Sequence, residues 1–142
     1  MTAIPMMRAR KRLSMVWFCF GGVLFAVLFI QTLANPYLYK DVSEPWSWFL
    51  PNIVPTLSLM IGVLVAEAMG KGSPAKSVDA FMYRLGLAAS LIYLVCVAAV
   101  IFYGPVSGQA PFELMKKSSL ALGPMQGLVS GVLVLFFARK SE

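Results

Sequence analysis

The sequence predicts an all-α integral membrane protein: four transmembrane helices arranged as two hairpins, with both termini cytoplasmic. Three observations predict it. Of 142 residues, 59% are hydrophobic and 13% charged, which leaves too little polar surface to coat a soluble domain of this size. The apolar residues gather into four long runs. The basic residues, which give a formal net charge of +6, flank those runs, as they do when they meet anionic lipid head groups.

The first run, Ser14 to Ala34, follows a basic head containing Arg8, Arg10, Lys11 and Arg12. That layout also suits a secretory signal cleaved near Thr32-Leu33-Ala34. The run exceeds the ~7–15 residue core of a signal and matches the ~20 residues that cross a bilayer, so a span is the expectation. The second run is Trp48 to Met69, the third Asp79 to Tyr103 and the fourth Ser118 to Ala138. With their ends trimmed, none holds an interior lysine, arginine or aspartate. Each therefore reads as a spanning helix. Residues 1–142 make one four-helix membrane domain.

Placing the amino terminus in the cytoplasm puts Arg8, Arg10, Lys11, Arg12, Lys71, Lys76, Arg84, Arg139 and Lys140 inside. Only Lys40, Lys116 and Lys117 then lie outside, a positive-inside bias of nine to three. Tyr37, Tyr39, Trp46 and Trp48 crowd the first outer loop, as an interfacial aromatic belt does. The inner loop from Gly70 to Ser77 is turn-rich and joins the hairpins. In the outer loop from Gly104 to Lys117, the stretch Pro111-Phe112-Glu113-Leu114-Met115 reads as a partial helix at the interface.

Chemistry is constrained by what the chain lacks. It has no histidine, and its two cysteines, Cys19 and Cys96, fall inside apolar runs. No disulfide framework, metal-ligand cluster or haem ligation is expected from such a set. No nucleophile motif, phosphate-binding loop or carboxylate pair occurs. The expectation is no enzyme, no cofactor, no metal and no nucleic-acid partner.

The second and fourth runs share a pattern. Pro55, Leu59, Gly62 and Val63-Leu64-Val65 fall in register with Pro124, Leu128, Gly131 and Val132-Leu133-Val134. A duplicated hairpin about an axis along the membrane normal would produce this, and so would chance among apolar residues.

Candidate functional residues lie mainly in the fourth run. Ser119, Gly123, Gly127 and Gly131 recur every four residues and form one stripe. Small residues at that spacing let helix backbones approach closely. The stripe serves either a homo-oligomeric contact or packing within the chain. Gln126 and Ser130 lie beside it. A mid-membrane glutamine needs a partner, so Gln126 either lines an aqueous path or bonds a neighbouring helix. Asn52 and Thr56 add polar groups to the second run, as an outward vestibule or as helix-start satisfaction. Pro55 and Pro124 each remove a backbone donor and are candidate gating kinks, or simple fits to packing. Glu67 is the acid closest to hydrocarbon. An interfacial ion pair with Lys71, four residues on, competes with a role in transport.

The segments Leu122-Gly123-Pro124-Met125-Gln126-Gly127-Leu128-Val129-Ser130-Gly131 and Leu50-Pro51-Asn52-Ile53-Val54-Pro55-Thr56-Leu57-Ser58 resemble those of small four-helix membrane proteins encoded in bacterial defence operons. The resemblance covers two short stretches and specifies no catalytic residue. It implies a bacterial inner membrane setting and an anti-phage effector. The functional expectation is a self-associating channel or membrane-perturbing assembly, with the bilayer, other copies and a cytoplasmic protein as partners. An accessory subunit of a larger complex and a small two-hairpin transporter are the alternatives.

Overall fold

A computed structural model describes residues 3–70 and 77–137. Four long helices dominate: α1 (Met6–Ala34), α2 (Ser43–Ala68), α3 (Ala80–Tyr103) and α4 (Pro111–Phe137). Two three-residue strands, β1 (Ala3–Pro5) and β2 (Ser77–Asp79), pair antiparallel just before α1 and α3, with Ile4 opposite Val78. A 3₁₀ turn, Gly104–Val106, follows α3. All four helices are long and apolar enough to cross a membrane.

The helices outrun the apolar stretches that announce them. α1 begins eight residues before Ser14 and α2 five before Trp48. Hydropathy locates the part of a helix that lies in hydrocarbon. The helix itself continues wherever backbone hydrogen bonds and a packed face persist, as at Ala9 and Leu13, both fully buried. The segment Pro111 to Met115 is likewise no separate interfacial piece, but the first turn of α4. Pro111 suits that place because its fixed φ is helical and its missing N–H would be unpaired there anyway. At the far end of α2, Gly70 adopts φ 71° and its N–H returns to the Glu67 carbonyl. This left-handed residue stops the helix without the strain a side chain would add.

The four helices pack as an antiparallel bundle in a particular order. α1 touches α2 and α3, and α4 touches α2 and α3. Across the centre α1 meets α4, while α2 and α3 make no backbone approach among the described residues. An axis along the membrane normal relating the hairpins would set α1 diagonally opposite α3. Instead α1 and α3 run side by side in the same direction, as do α2 and α4. The hairpins therefore stack by translation. The β1–β2 ladder fixes this at one end, and Gln31 of α1 donating to the Ile101 carbonyl of α3 (3.2 Å) fixes it at the other.

The core follows coiled-coil spacing. The buried set on α3 includes Tyr83, Gly86, Ser90, Tyr93 and Val97, steps of three and four. On α4 the buried Met115, Leu122, Val129 and Phe136 recur every seven residues. Such seams are the expected result of packing helices at shallow crossing angles. Where backbones come closest, the seam residue is small. A Cβ added to Gly21 would lie 3.5 Å from Ile53 of α2, and one added to Gly86 would lie 3.1 Å from Phe136 of α4.

Candidate functional site at the α2–α4 face

The polar groups of α2 and α4 meet at one level of the bundle. Pro55 has no N–H to give the carbonyl of Pro51, one turn back. In hydrocarbon an unpaired carbonyl costs several kcal/mol, on the order of 1–3 by protein measurements. Gln126 of α4 closes this gap, its Nε2 donating to the Pro51 carbonyl at 3.0 Å. The next residue, Asn52, donates back to the Trp48 carbonyl at 2.6 Å. Its own Oδ1 and carbonyl accept from the Tyr93 hydroxyl of α3 at 3.0 and 3.1 Å. Tyr93 in turn stacks on Trp17 of α1, centroids 5.9 Å apart. One polar belt thus runs from α4 through α2 and α3 to α1.

This belt crosses the bundle and blocks it. Trp17 and Tyr93 are both fully buried, with Met60, Leu94 and Val97 equally enclosed. Thr56 is buried beside them. Asn52 stands well inside α2, which begins at Ser43, so it caps no helix start. The Gln126 amide N–H and the Asn52 amide oxygen are each engaged with a neighbouring helix. Both α2 and α4 run unbroken through Pro55 and Pro124.

The small-residue stripe lies elsewhere. Ser119, Gly123, Gly127 and Gly131 sit on the exposed side of α4. A Cβ built on Gly123, Gly127 or Gly131 meets nothing within 4 Å. Close packing inside the chain is carried by Gly21 and Gly86 instead. Ser119 bonds back to the Met115 carbonyl at 3.1 Å, and Ser130 is half-buried next to the stripe. Pro124 opens on the same side, and it leaves the carbonyl of Leu120 without its helical donor. Leu120 is 83% exposed, and no side chain among the described residues fills this gap as Gln126 does for Pro51.

At the end carrying both strands, Glu67 is held by Arg10 of α1. Their side chains are 11% and 12% exposed. The Arg10 Nε also donates to the carbonyl of Phe136, near the end of the described part of α4. Arg10 thereby ties α1, α2 and α4 together. Lys71, the partner suggested by spacing, lies outside the described residues.

Sequence reasoning overlooked Arg10, Gln31, Tyr93 and Trp17. A signal existed for the first: Arg10 precedes Leu13 and Trp17 by three and seven residues, so it shares their helix face. Gln31 answers the same need as Gln126. Pro105 cannot donate to the Ile101 carbonyl, and Gln31 does so from the neighbouring helix. No group of three or more metal-ligating side chains occurs among the described residues.

In comparisons with known proteins, no family model, curated protein or solved structure matches the chain.

Proposed function

We propose that this four-span membrane protein is non-enzymatic and self-associates through the outer face of α4, forming a channel or membrane-perturbing assembly. The observation that carries the reading is the open stripe of Gly123, Gly127 and Gly131. In lipid, a bare glycine track gains nothing from its surroundings unless another backbone comes close. The Leu120 carbonyl on the same face lacks its helical donor, and hydrocarbon supplies none. A second copy would bring both dispersion contacts and donors to that face.

In such an assembly the filled interior of each bundle decides where a conducting path would run. Trp17 and Tyr93 fill the interior of one bundle, so the path lies between copies, beside α4, where Ser119 is exposed and Ser130 half-buried. The resemblance to small membrane proteins of bacterial defence operons supports an anti-phage setting for such an assembly.

The test is the oligomeric state in nanodiscs, paired with ion flux from liposomes. Wild type is expected to form a closed oligomer and to leak. Gly127→Leu is expected to insert as a monomer that does not leak, since leucine fills the space a partner helix needs. An unchanged oligomer in Gly127→Leu overturns the α4 contact. Liposomes that remain sealed at every protein density overturn the channel. A stoichiometric foreign partner without any homo-oligomer identifies an accessory subunit instead.

A further inference from the structure

We propose that the groove between α3 and α4 at their loop end is a binding site for one anionic phospholipid, with its phosphate on Lys117 and an acyl chain along Ala99, Val100 and Leu114. The groove encloses about 390 Å³ and is lined by those residues with Tyr103 and Ser118. It exists because α3 and α4 are close at both of its sides. A Cβ added to Gly104 would lie 3.3 Å from Pro111 at the loops, and one added to Gly86 would press on Phe136 further along the helices. Between them the small side chain of Ala99 leaves a gap that opens outward to lipid.

The two neighbouring lysines differ in a way that selects the ligand. Lys116 is already compensated: its Nζ is 3.2 Å from Glu113 and 4.7 Å from the centre of the Phe112 ring. Lys117 has no acidic partner among the described residues, and its Nζ reaches only the neutral Gln109 side chain at 3.5 Å. In α4, side chains lean toward the helix start. The Lys117 stem therefore passes along the groove while its ammonium rises to the level of the loop, as snorkelling lysines do. Tyr103, the last residue of α3, stands beside it, where interfacial aromatics meet head groups. The result is an uncompensated cation above an apolar slot at the edge of a membrane span. A phosphate attached to an acyl chain matches both parts. The Ser118 hydroxyl is committed to the Met115 carbonyl at 2.7 Å, so charge and not a hydroxyl donor sets the preference. The inference concerns the surface of a single chain and does not depend on the α4 contact proposed above.

The experiment is native mass spectrometry of the delipidated, detergent-purified full chain, offered phosphatidylglycerol and phosphatidylcholine of equal chain length. Wild type should retain one phosphatidylglycerol with roughly fivefold preference, the size expected of one basic residue at a lipid surface. Lys117→Gln should abolish the preference, and Lys116→Gln should keep it. Ala99→Leu fills the slot and should lower retention of both lipids, with helical content by circular dichroism unchanged. The proposal is overturned if wild type shows no preference. It is also overturned if Lys117→Gln keeps it, if Lys116→Gln loses it equally, or if the filled groove binds lipid as well as the open one.

Discussion

The pairing of Gln126 with Pro55 can be measured as a coupling. Gln126 donates at 3.0 Å to the Pro51 carbonyl that Pro55 leaves unpaired. In the wild-type background, Gln126→Leu removes the donor and strands the carbonyl against lipid. That should cost about 1–3 kcal/mol. Pro55→Ala restores the backbone N–H, which then serves the same carbonyl through the helix. In that background Gln126→Leu removes only a redundant interhelical bond, worth about 0.6 kcal/mol on average in membrane proteins. The difference predicts a coupling free energy of roughly 0.5–2 kcal/mol, above the ~0.3–0.5 kcal/mol scatter of independent sites. The assay is a double-mutant cycle, with unfolding in mixed micelles followed by circular dichroism for wild type, both single variants and the double variant. Equal costs of Gln126→Leu in the two backgrounds would refute the reasoning, because they would mean that the glutamine does not serve the carbonyl Pro55 frees.

Three further expectations come from the same geometry. Arg10→Gln leaves Glu67 without its cation and loosens the end of α4, so it should destabilise by about 3–5 kcal/mol; Arg10→Leu combined with Glu67→Leu should cost clearly less, and the same unfolding assay decides whether it does. Gly86→Leu drives side-chain atoms into Phe136 and should cost about 1–3 kcal/mol or more, whereas Gly127→Leu, facing open space, should leave the unfolding midpoint of the monomer nearly unchanged. At Asp41, the backbone N–H of Ser43 donates to Oδ1 at 3.0 Å, and this bond with the Ser43 side chain holds the carboxyl below its ordinary 3.8. A depressed acid stabilises its charged form, so its support for the start of α2 is present above that ordinary value and is lost as pH falls through the lowered one; the Ser43 amide resonance should shift over that acidic range in wild type and stay fixed in Asp41→Asn.

The Arg10 contacts also bear on how the ends of the bundle differ. At the strand-bearing end one side chain joins three helices. At the loop end, the neutral Gln31 bonds α1 to α3, and buried polar atoms without a protein partner among the described residues occur both there, on Gln31, Tyr39 and Trp48, and further along the bundle, on Ser14, Trp17 and Ser90. Burial without a partner pushes the Tyr39 hydroxyl up to about 12, since no group there stabilises its charged form.

How much was legible in the sequence depends on which physical force wrote it. Transfer into hydrocarbon acts on composition over about 20 residues, so four spans and their approximate limits could be read from Ser14, Trp48, Asp79 and Ser118 onward. Proline chemistry is equally local, and Pro55 announced a carbonyl in need of a donor. Which donor answers it is not local. Gln126 stands 75 residues from Pro51, and only the packing of α2 against α4 brings them together. The inside face of each helix was hidden for a related reason. Lipid and protein interior are both apolar, so hydropathy does not distinguish the buried Leu122 from the exposed Leu120. Steric fit does, and it depends on the neighbour. Gly86 is small because Phe136 presses on it, Gly21 lies at ordinary contact distance from Ile53, and Gly127 is small with nothing against it. Sequence alone determined that the chain spans and where the apolar part of each helix lies. Tertiary structure decided which glycines lie against a neighbouring helix, which face is left open, and that Arg10, from a different helix, is a partner of Glu67.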